Sequence, residues 1–449
     1  MNFKEKLTKE ISKSLNQDIT LRDTPSIEFG DYSLPCFNLN PEEFKNKIKS
    51  SLIEKIEIKG SYLNIFIKKS KFIEETLNEI NKDYGSSNIG KNKTIVIDFS
   101  SPNVAKPFSV GHLRSTVIGN ALYNLYSKIG YKLVGVNHLG DWGTQFGKLI
   151  VAYKKWGNEK DLEKDPIKYL LSLYVKFHKE AETNESLNEE ARKEFRKLEQ
   201  NDKDLVKLWK KFKDLSLKEF EKIYQLLNIK FDSYNGEAFY KDMLEDTINY
   251  ISKKTKTEYS DDALIINLKS YDMPPLILKK SNESSSYHTR DLAAALYRLK
   301  TYKPEKIIYV VGSEQKLHFK QLFKALELIG EDSKKFVHVD FGLFRFPEGK
   351  MSTRKGNVIF LEDVLNESIK LAEKIIEEKN PNLNDREKTS ILVGIGAIIF
   401  ADLSNDRTRN INFDWNRIIS FEGETGPYVQ YTNARINSIL KKSKLSSKI

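Results

Sequence analysis

The sequence predicts an α/β fold: a parallel sheet made from two βαβ units far apart in the chain, split by a mostly helical insertion and preceded by a small α+β domain. Two patterns carry this reading. Residues 94–99 (T-I-V-I-D-F) are a short apolar run of buried-strand type, and a helical pattern follows with Leu113, Val117, Ile118, Ala121, Leu122, Leu125 and Ile129 on one face. Y-K-L-V-G-V (131–136) then makes a second strand. The pattern returns late as K-I-I-Y-V-V (306–311), a helix over 317–329 and F-V-H-V-D-F (336–341). Gly130 and Gly330 stand where helix ends favour a left-handed residue. Such a sheet opens its ligand crevice at the carboxyl ends of its strands.

In chain order, residues 1–85 read as the small α+β domain. Phe3, Leu7, Ile11 and Leu15 recur every four residues on one helix face, and K-I-E-I and L-N-I-F-I alternate on either side of Lys59-Gly60 as a hairpin. A helix over 71–82 follows, and Y-G-S-S-N-I-G-K-N-K (84–93) makes a polar, turn-rich linker. Residues 91–152 hold the first half of the parallel-sheet domain. Residues 153–285 form the charged, helically periodic insertion, and 286–345 the second half. A connecting helical region covers 346–420, and 421–449 starts a further helical domain.

Composition narrows the function classes. With 449 residues, 39% hydrophobic and 11% aromatic, the chain can fill the cores of about two to four domains, which excludes wholesale disorder. The longest apolar stretch, 391–401, is too short to span a bilayer, and the lysine-rich start carries no apolar signal-peptide segment. A cytoplasmic protein with no membrane partner is expected. A single cysteine, Cys36, excludes an internal disulfide framework and argues against a thiolate zinc cluster. His178, His318 and His338 show no metal-ligand spacing, so no metal site is assigned. Lys and Arg outnumber Asp and Glu by 74 to 63, a net +11 that suits a polyanion such as a nucleic acid. Lysines that merely solvate the faces of a Lys-, Asn- and Ile-rich chain give the same figure.

Two loops carry chemistry. S-P-N-V-A-K-P-F-S-V-G-H (101–112) opens onto a helix start, where free backbone N–H groups and the positive dipole end favour an anion. Gly111 lets the backbone approach a ligand, and His112 can donate to a phosphate oxygen; a capping or core histidine reads the same in sequence. G-K-M-S-T-R-K-G-N (349–357) gathers Lys350, Arg354 and Lys355 into a glycine-flanked loop far down the chain, and no P-loop competes for a nucleotide. The pair resembles the H-I-G-H and K-M-S-K-S signatures of class I aminoacyl-tRNA synthetases, here Ser109-Val110-Gly111-His112 and Lys350-Met351-Ser352-Thr353-Arg354. The words D-F-S-S-P-N-V-A-K-P-F-S-V-G-H-L-R-S-T, N-H-L-G-D-W-G-T-Q-F-G, Y-H-T-R-D-L-A-A-A, V-V-G-S-E-Q-K-L-H-F and F-E-G-E-T-G-P-Y-V-Q-Y-T-N-A-R are similar to arginyl-tRNA synthetases, in order from the first domain to near the last residue.

The resemblance implies a Rossmann-like catalytic domain and an arginine–tRNA ligase: ATP activates L-arginine to arginyl-adenylate, which passes to tRNA(Arg). His112, Lys350, Lys106 and Ser109 would act on the phosphates. Gly111, His112, Gly140, Asp141, Lys350, Met351 and Ser352 would surround ATP, and Asp98, Asn103, Tyr287, Asp291 and Gln315 would form the arginine pocket. ATP is then a substrate with Mg2+ on its phosphates, no cofactor is tightly bound, and a monomer is expected. Ser109 departs from the first signature histidine, Thr353 from an internal lysine and Arg354 from the terminal serine. Lys106, three residues before Ser109, could supply the missing charge. Tyr287 and Asp291, four apart at a helix start, share one face. Asp98 also reads as a surface or capping residue, Gly143 as a turn glycine and Trp142 as packing.

Only 23 residues follow Gly426 (449 − 426), about one helix. The family continues here into a helical bundle that grips the anticodon. The resemblance therefore implies a chain short of that bundle, with weak anticodon discrimination. The alternative reading is a truncated, non-catalytic tRNA- or arginine-binding remnant.

Overall fold

The structure, a computed structural model, describes residues 3–37, 40–281, 286–345, 359–412, 414–420 and 422–443. The described chain divides into two compact units, residues 3–86 and residues 87–443.

In the first unit, α1 (Phe3–Leu15) turns Phe3, Leu7 and Ile11 inward. They share a core with Leu34, Leu52, Leu63, Ile65 and the buried thiol of Cys36. Strands β1 (Arg22–Asp23), β2 (Tyr32–Pro35), β3 (Ile53–Lys59) and β4 (Tyr62–Ile67) form an antiparallel sheet in the order β1-β2-β4-β3. Gly60, at φ +58°, makes the β3–β4 turn. Short helices α2 (Pro41–Lys47) and α3 (Lys69–Glu79) complete the unit.

The second unit is built on four parallel strands: β5 (Thr94–Asp98), β6 (Lys132–Val136), β10 (Lys306–Gly312) and β11 (Phe336–Phe341), ordered β11-β10-β5-β6. Helix α4 (Leu113–Lys128) crosses from β5 to β6, and α12 (Lys316–Leu328) crosses from β10 to β11. The chain thus leaves β5 toward one edge and β10 toward the other. The crevice above the β5–β10 boundary is a topological switch point, the place where such sheets bind ligands.

Strand periodicity explains why the sheet sits between two cores. Ile95, Ile97 and Phe99 of β5 and the residue beyond it point to one face with Ile308 and Val310 of β10. Val96, Ile307, Tyr309, Val134 and Val136 point to the other. On the first face lie α4, α5 (Thr144–Trp156), α6 (Glu159–Lys164), α7 (Pro166–Thr183), α8 (Ser186–Glu199) and α9 (Lys203–Leu226). On the second lie α12, α10 (Leu244–Lys254) and α11 (Tyr287–Tyr302).

After α10 the insertion departs from the helical expectation. Strands β7 (Glu258–Ser260), β8 (Ala263–Ile266) and β9 (Leu276–Lys279) form an antiparallel sheet that puts Ile266, Leu268, Leu276 and Leu278 into the second core. These segments are three or four residues long, too short for a period-2 signal to stand out in sequence.

Beyond β11, the two-residue strand β12 (Phe344–Arg345) pairs with β13 (Ile411–Asn412), and α13 (Leu361–Lys379) packs on α14 (Arg386–Leu403). A buried ion pair ties this region to the sheet. Arg114 Nε of α4 lies 2.8 Å from Asp402 Oδ1 of α14, with both side chains almost fully buried, and Arg114 Nη1 donates to the carbonyls of Gly342 (2.6 Å) and Arg409 (3.0 Å). After α15 (Trp415–Ile418), helix α16 (Gly426–Ser443) packs on α14 but leaves Tyr428, Val429, Ile436 and Ile439 exposed.

One contact sets the spacing of α4 on β5. A Cβ on Gly119 would lie 2.3 Å from Phe99 Cβ. Gly119→Ala should therefore force the helix off the strand and lower unfolding free energy by about 1–3 kcal/mol, read from urea unfolding followed by circular dichroism. An unchanged midpoint would mean that α4 shifts freely.

Candidate active site

The loop after β5 runs through unusual backbone. Ser100 (φ +70°), Ser101 (φ +49°) and Ala105 (φ +60°) all lie in the left-handed region, which costs a non-glycine residue about 1 kcal/mol or more. Each has its N–H satisfied. Ser100 N–H donates to Ser115 Oγ (2.9 Å), Ser101 N–H to Asn137 Oδ1 (3.1 Å) and Ala105 N–H to Ser216 Oγ (3.0 Å). Between them the loop zips onto the segment after β6: Gly140 N–H donates to the Pro102 carbonyl (3.0 Å) and Val104 N–H to the Gly140 carbonyl (3.1 Å). A Cβ on Gly140 would meet Asn103 Oδ1 at 2.4 Å, so this glycine serves loop-to-loop packing.

The loop ends in a single 3-10 turn, Val110–His112, capped by Ser109. Ser109 N–H donates to His112 Nδ1 (3.2 Å), and Ser109 Oγ lies at the same distance. The Ser109 carbonyl lies 3.3 Å from the same Nδ1, so Ser109 offers this nitrogen both a donor and an acceptor. Burial, with a smaller push from the Lys106 ammonium, takes His112 down to about 4. His112 is thus an uncharged donor at neutral pH. Gly111 is exposed, with Ser109 Oγ 3.4 Å from where a Cβ would stand. Lys106 stacks over Tyr174 (5.5 Å to the ring centre) while remaining close to His112.

Lys350, Met351, Ser352, Thr353, Arg354 and Lys355 lie outside the described residues. The chain on their carboxyl side is placed, and it meets the first loop directly. Val110 N–H donates to the Ile359 carbonyl (3.2 Å) and Leu361 N–H to the Phe108 carbonyl (2.9 Å), with a bridge pairing Ser109 and Phe360.

The second part of the site is acidic. Asp291 follows Tyr287 by one helical turn on α11, and its carboxylate is 28% exposed. His318 Nε2 of α12 is 2.7 Å from Oδ2, and His138 Nε2, beyond β6, is 3.8 Å from Oδ1. Burial would raise the Asp291 carboxyl, but the His318 bond, aided by His138 and Arg298, outweighs it and holds the group below the ordinary carboxylate range. Among the described residues, no lysine or arginine lies within ion-pair distance of it. Tyr287 is half exposed and stacks on His288 at 4.0 Å. Asn103 is exposed on the β5 loop and Gln315 on the 3-10 turn Ser313–Gln315 after β10, both at the carboxyl edge of the sheet.

Two expected ligands of substrate have ion-pair partners inside the protein. Asp98 lies 2.8 Å from Arg298 Nη2, a side chain only 1% exposed, and also accepts from Ser101 Oγ (2.9 Å). A guanidinium of the chain itself therefore holds the carboxylate expected to meet arginine. Asp141 is fully buried, 2.6 Å from Lys213 Nζ, and accepts the Ala238 N–H (2.8 Å). It anchors the insertion through these two partners.

The sequence reading missed Glu237. It opens the 3-10 turn Glu237–Met243, pairs with Arg290 Nε (3.2 Å) and lies near His138 and Asp291; burial raises its carboxyl. Its one sequence signal is the preceding Gly236, whose absent Cβ would sit 2.6 Å from both Asp141 Oδ1 and the Leu139 carbonyl. Among the described residues, no group of three or more His, Cys, Asp or Glu is arranged to hold a metal ion, and no helix is long and apolar enough to cross a membrane.

Comparison with known proteins places this arrangement. The family described as "tRNA synthetases class I (R), catalytic domain" matches residues 73–415. The arginine–tRNA ligase of Clostridium kluyveri is 51% identical, covering 100% of this chain and 82% of its own length. That of Clostridium acetobutylicum is 50% identical over 98% of this chain and 82% of its own. Among solved structures, the arginyl-tRNA synthetase of Plasmodium falciparum is 26% identical with a TM-score of 0.74, covering 99% of this chain and 81% of that one. The Thermus thermophilus enzyme shares the fold at 22% identity, with a TM-score of 0.79 over 99% of this chain and 83% of that one.

The buried histidines make stability pH-dependent. His112 and His288 are both driven down to about 4 by burial, against an ordinary 6.5. The unfolded chain therefore binds more protons between those values. Their contribution is fully present above about pH 6.5 and is lost as pH falls toward 4. His112→Asn should reduce the loss of unfolding free energy between pH 7 and pH 4.5 by on the order of 1–3 kcal/mol, measured by urea titration at both values. Equal losses in variant and wild type would refute the neutral assignment.

Proposed function

We infer, for a chain that belongs to the arginyl-tRNA synthetase family of class I, the activity of an arginine–tRNA ligase. The observation that carries the reading on the structural side is Asp291. It is a carboxylate kept ionised by histidine partners, reachable from solvent, and unopposed by any described lysine or arginine at ion-pair distance. Such a group beside Tyr287 suits the planar, permanently charged guanidinium of L-arginine.

The chemistry needs little beyond positioning. The arginine carboxylate, already ionised at neutral pH, attacks the α-phosphorus of ATP. A carboxylate–phosphorus bond forms as the bond to pyrophosphate breaks, giving arginyl-adenylate. The 2′-hydroxyl of the terminal adenosine of tRNA(Arg) then attacks the acyl carbon, and AMP leaves. Neutral His112 would face the phosphate oxygens with its Nε2 side, and the contacts of Ser109 to Nδ1 would hold the ring in that orientation. We place Gly111 under the nucleotide, with Lys106 and Lys350 as cationic partners of the triphosphate and Met351 and Ser352 beside it. Magnesium would enter as a companion of the ATP phosphates. We assign guanidinium recognition to Asp291 and Tyr287, with Asn103 and Gln315 on the same rim, while Asp98 and Asp141 are paired with Arg298 and Lys213. On this reading the chain acts as a monomer in the cytoplasm, and its amino-terminal unit adds contacts to the tRNA. The intact acidic slot leaves a non-catalytic remnant without structural support.

Arginine-dependent exchange of pyrophosphate into ATP, with tRNA present, tests the activity. Asp291→Asn should weaken arginine binding by about 2–5 kcal/mol in calorimetry, the usual consequence of stranding the partner of a buried charge. Unchanged affinity would remove the pocket assignment. Lys106→Ala should slow exchange by roughly 10²–10³-fold. A change within about twofold would show that Lys106 does not touch the phosphates.

A further inference from the structure

Helix α9 belongs to the insertion, yet one of its faces touches the phosphate-side loop repeatedly. Trp209, Lys213, Ser216, Phe220 and Tyr224 recur at spacings of four, three, four and four, which places them in one line along the helix. Trp209 Nε1 donates to the Asp141 carbonyl (2.7 Å), and Lys213 pairs with the Asp141 carboxylate. Ser216 Oγ accepts the Ala105 N–H and donates to the Phe212 carbonyl (2.7 Å). Phe220 meets the Phe108 ring at 5.3 Å. The Tyr224 hydroxyl lies 2.9 Å from both Ser100 Oγ and Asn137 Nδ2, and Asn137 Oδ1 in turn holds the Ser101 N–H. All three left-handed residues of the loop are thus reached from this one face, Ala105 directly and Ser100 and Ser101 through side chains.

We propose that α9 is the brace of the nucleotide loop, and that Ser216 and Tyr224 are positioning residues for the phosphate-binding group formed by Lys106, Ser109 and His112. The physical case is local. Ala105 has no intrinsic preference for φ +60°, and its N–H would otherwise seek a partner in another conformation. Ser216 supplies that partner in the strained geometry, and Lys106 is the next residue. Tyr224 holds Ser100 by its side-chain Oγ and orients Asn137, which accepts the Ser101 N–H. The hydroxyl of Tyr224 is buried, and burial keeps it protonated far above neutrality. Neither residue contacts the substrates; both act through loop conformation. The inference rests on the assignment of the loop to ATP.

The test uses the whole chain in wild-type form and as Ser216→Ala, Tyr224→Phe and Ser216→Ala/Ala105→Gly. Affinity for a non-hydrolysable ATP analogue is measured by calorimetry, and amide hydrogen exchange is followed over residues 99–109. Both single variants should bind the analogue about tenfold or more weakly, since small misplacements of binding groups have large effects. Exchange should rise within 99–109 while β5 and β10 stay protected. Glycine adopts a positive φ without penalty, so Ala105→Gly should recover most of the affinity lost in Ser216→Ala. A purely structural role for Ser216 predicts no such rescue. The proposal is overturned if both single variants bind within about twofold of wild type, or if loop protection is unchanged. Failure of wild type to bind the analogue at all would instead overturn the ATP assignment, and the exchange data would still report whether α9 holds the loop.

Discussion

Three residues without glycine's freedom occupy left-handed backbone in six positions of chain, 100–105, and the surrounding structure is arranged to keep them there. Strain of about 1–3 kcal/mol per residue is a large fraction of the roughly 5–15 kcal/mol by which a domain is stable. It persists because every strained N–H has a partner on a different element: Ser115 on α4, Asn137 after β6, Ser216 on α9. Removing Ser115 or Ser216 leaves a buried donor unpaired, which matters more than the modest net value of a hydrogen bond suggests, whereas Ser101 N–H also reaches the Phe99 carbonyl (3.0 Å). The loop is therefore a junction where α4, the sheet edge and the insertion are all registered against one another.

Burial acts on this edge with opposite results for acids and bases. It strips the proton from His112, giving a neutral donor suited to phosphate oxygens. The same desolvation pushes the Asp291 carboxyl up, and His318 at 2.7 Å more than offsets it. The other carboxylates nearby take different routes. Asp98 and Asp141 are neutralised by Arg298 and Lys213, while Glu237 shares Arg290 and is raised by its burial. Asp291 is thus left ionised with histidine partners and, among the described residues, no lysine or arginine at ion-pair distance.

Much of the fold was legible because strand and helix periods are written locally. The apolar runs at 94–99 and 306–311 and the helix face from Leu113 to Ile129 became β5, β10 and α4 with shifts of a residue or two. The Tyr287–Asp291 pair was legible for the same reason, since a four-residue spacing is a statement about one helix face. What sequence could not show was which carboxylate meets a partner from far along the chain. Asp98, Asp141 and Asp291 look alike as letters beside glycines and aromatics, and only the third dimension supplies Arg298, Lys213 and His318. The brace on α9 was hidden likewise: Ser216 and Tyr224 read as ordinary members of a charged amphipathic helix until their partners are seen.

The ion pair between Arg114 and Asp402 has an evolutionary corollary. Each group sits in a nearly dry interior, and Arg114 Nη2 and Asp402 Oδ2 have no hydrogen-bond partner there. Losing one member alone strands a naked charge, commonly a loss of about 3–5 kcal/mol, whereas exchanging both for apolar groups of like volume is often neutral. Lineages can leave this state by simultaneous or compensated replacement far more easily than by single steps. The two sites should accordingly be inherited as a linked couple, although 288 positions separate them in the chain.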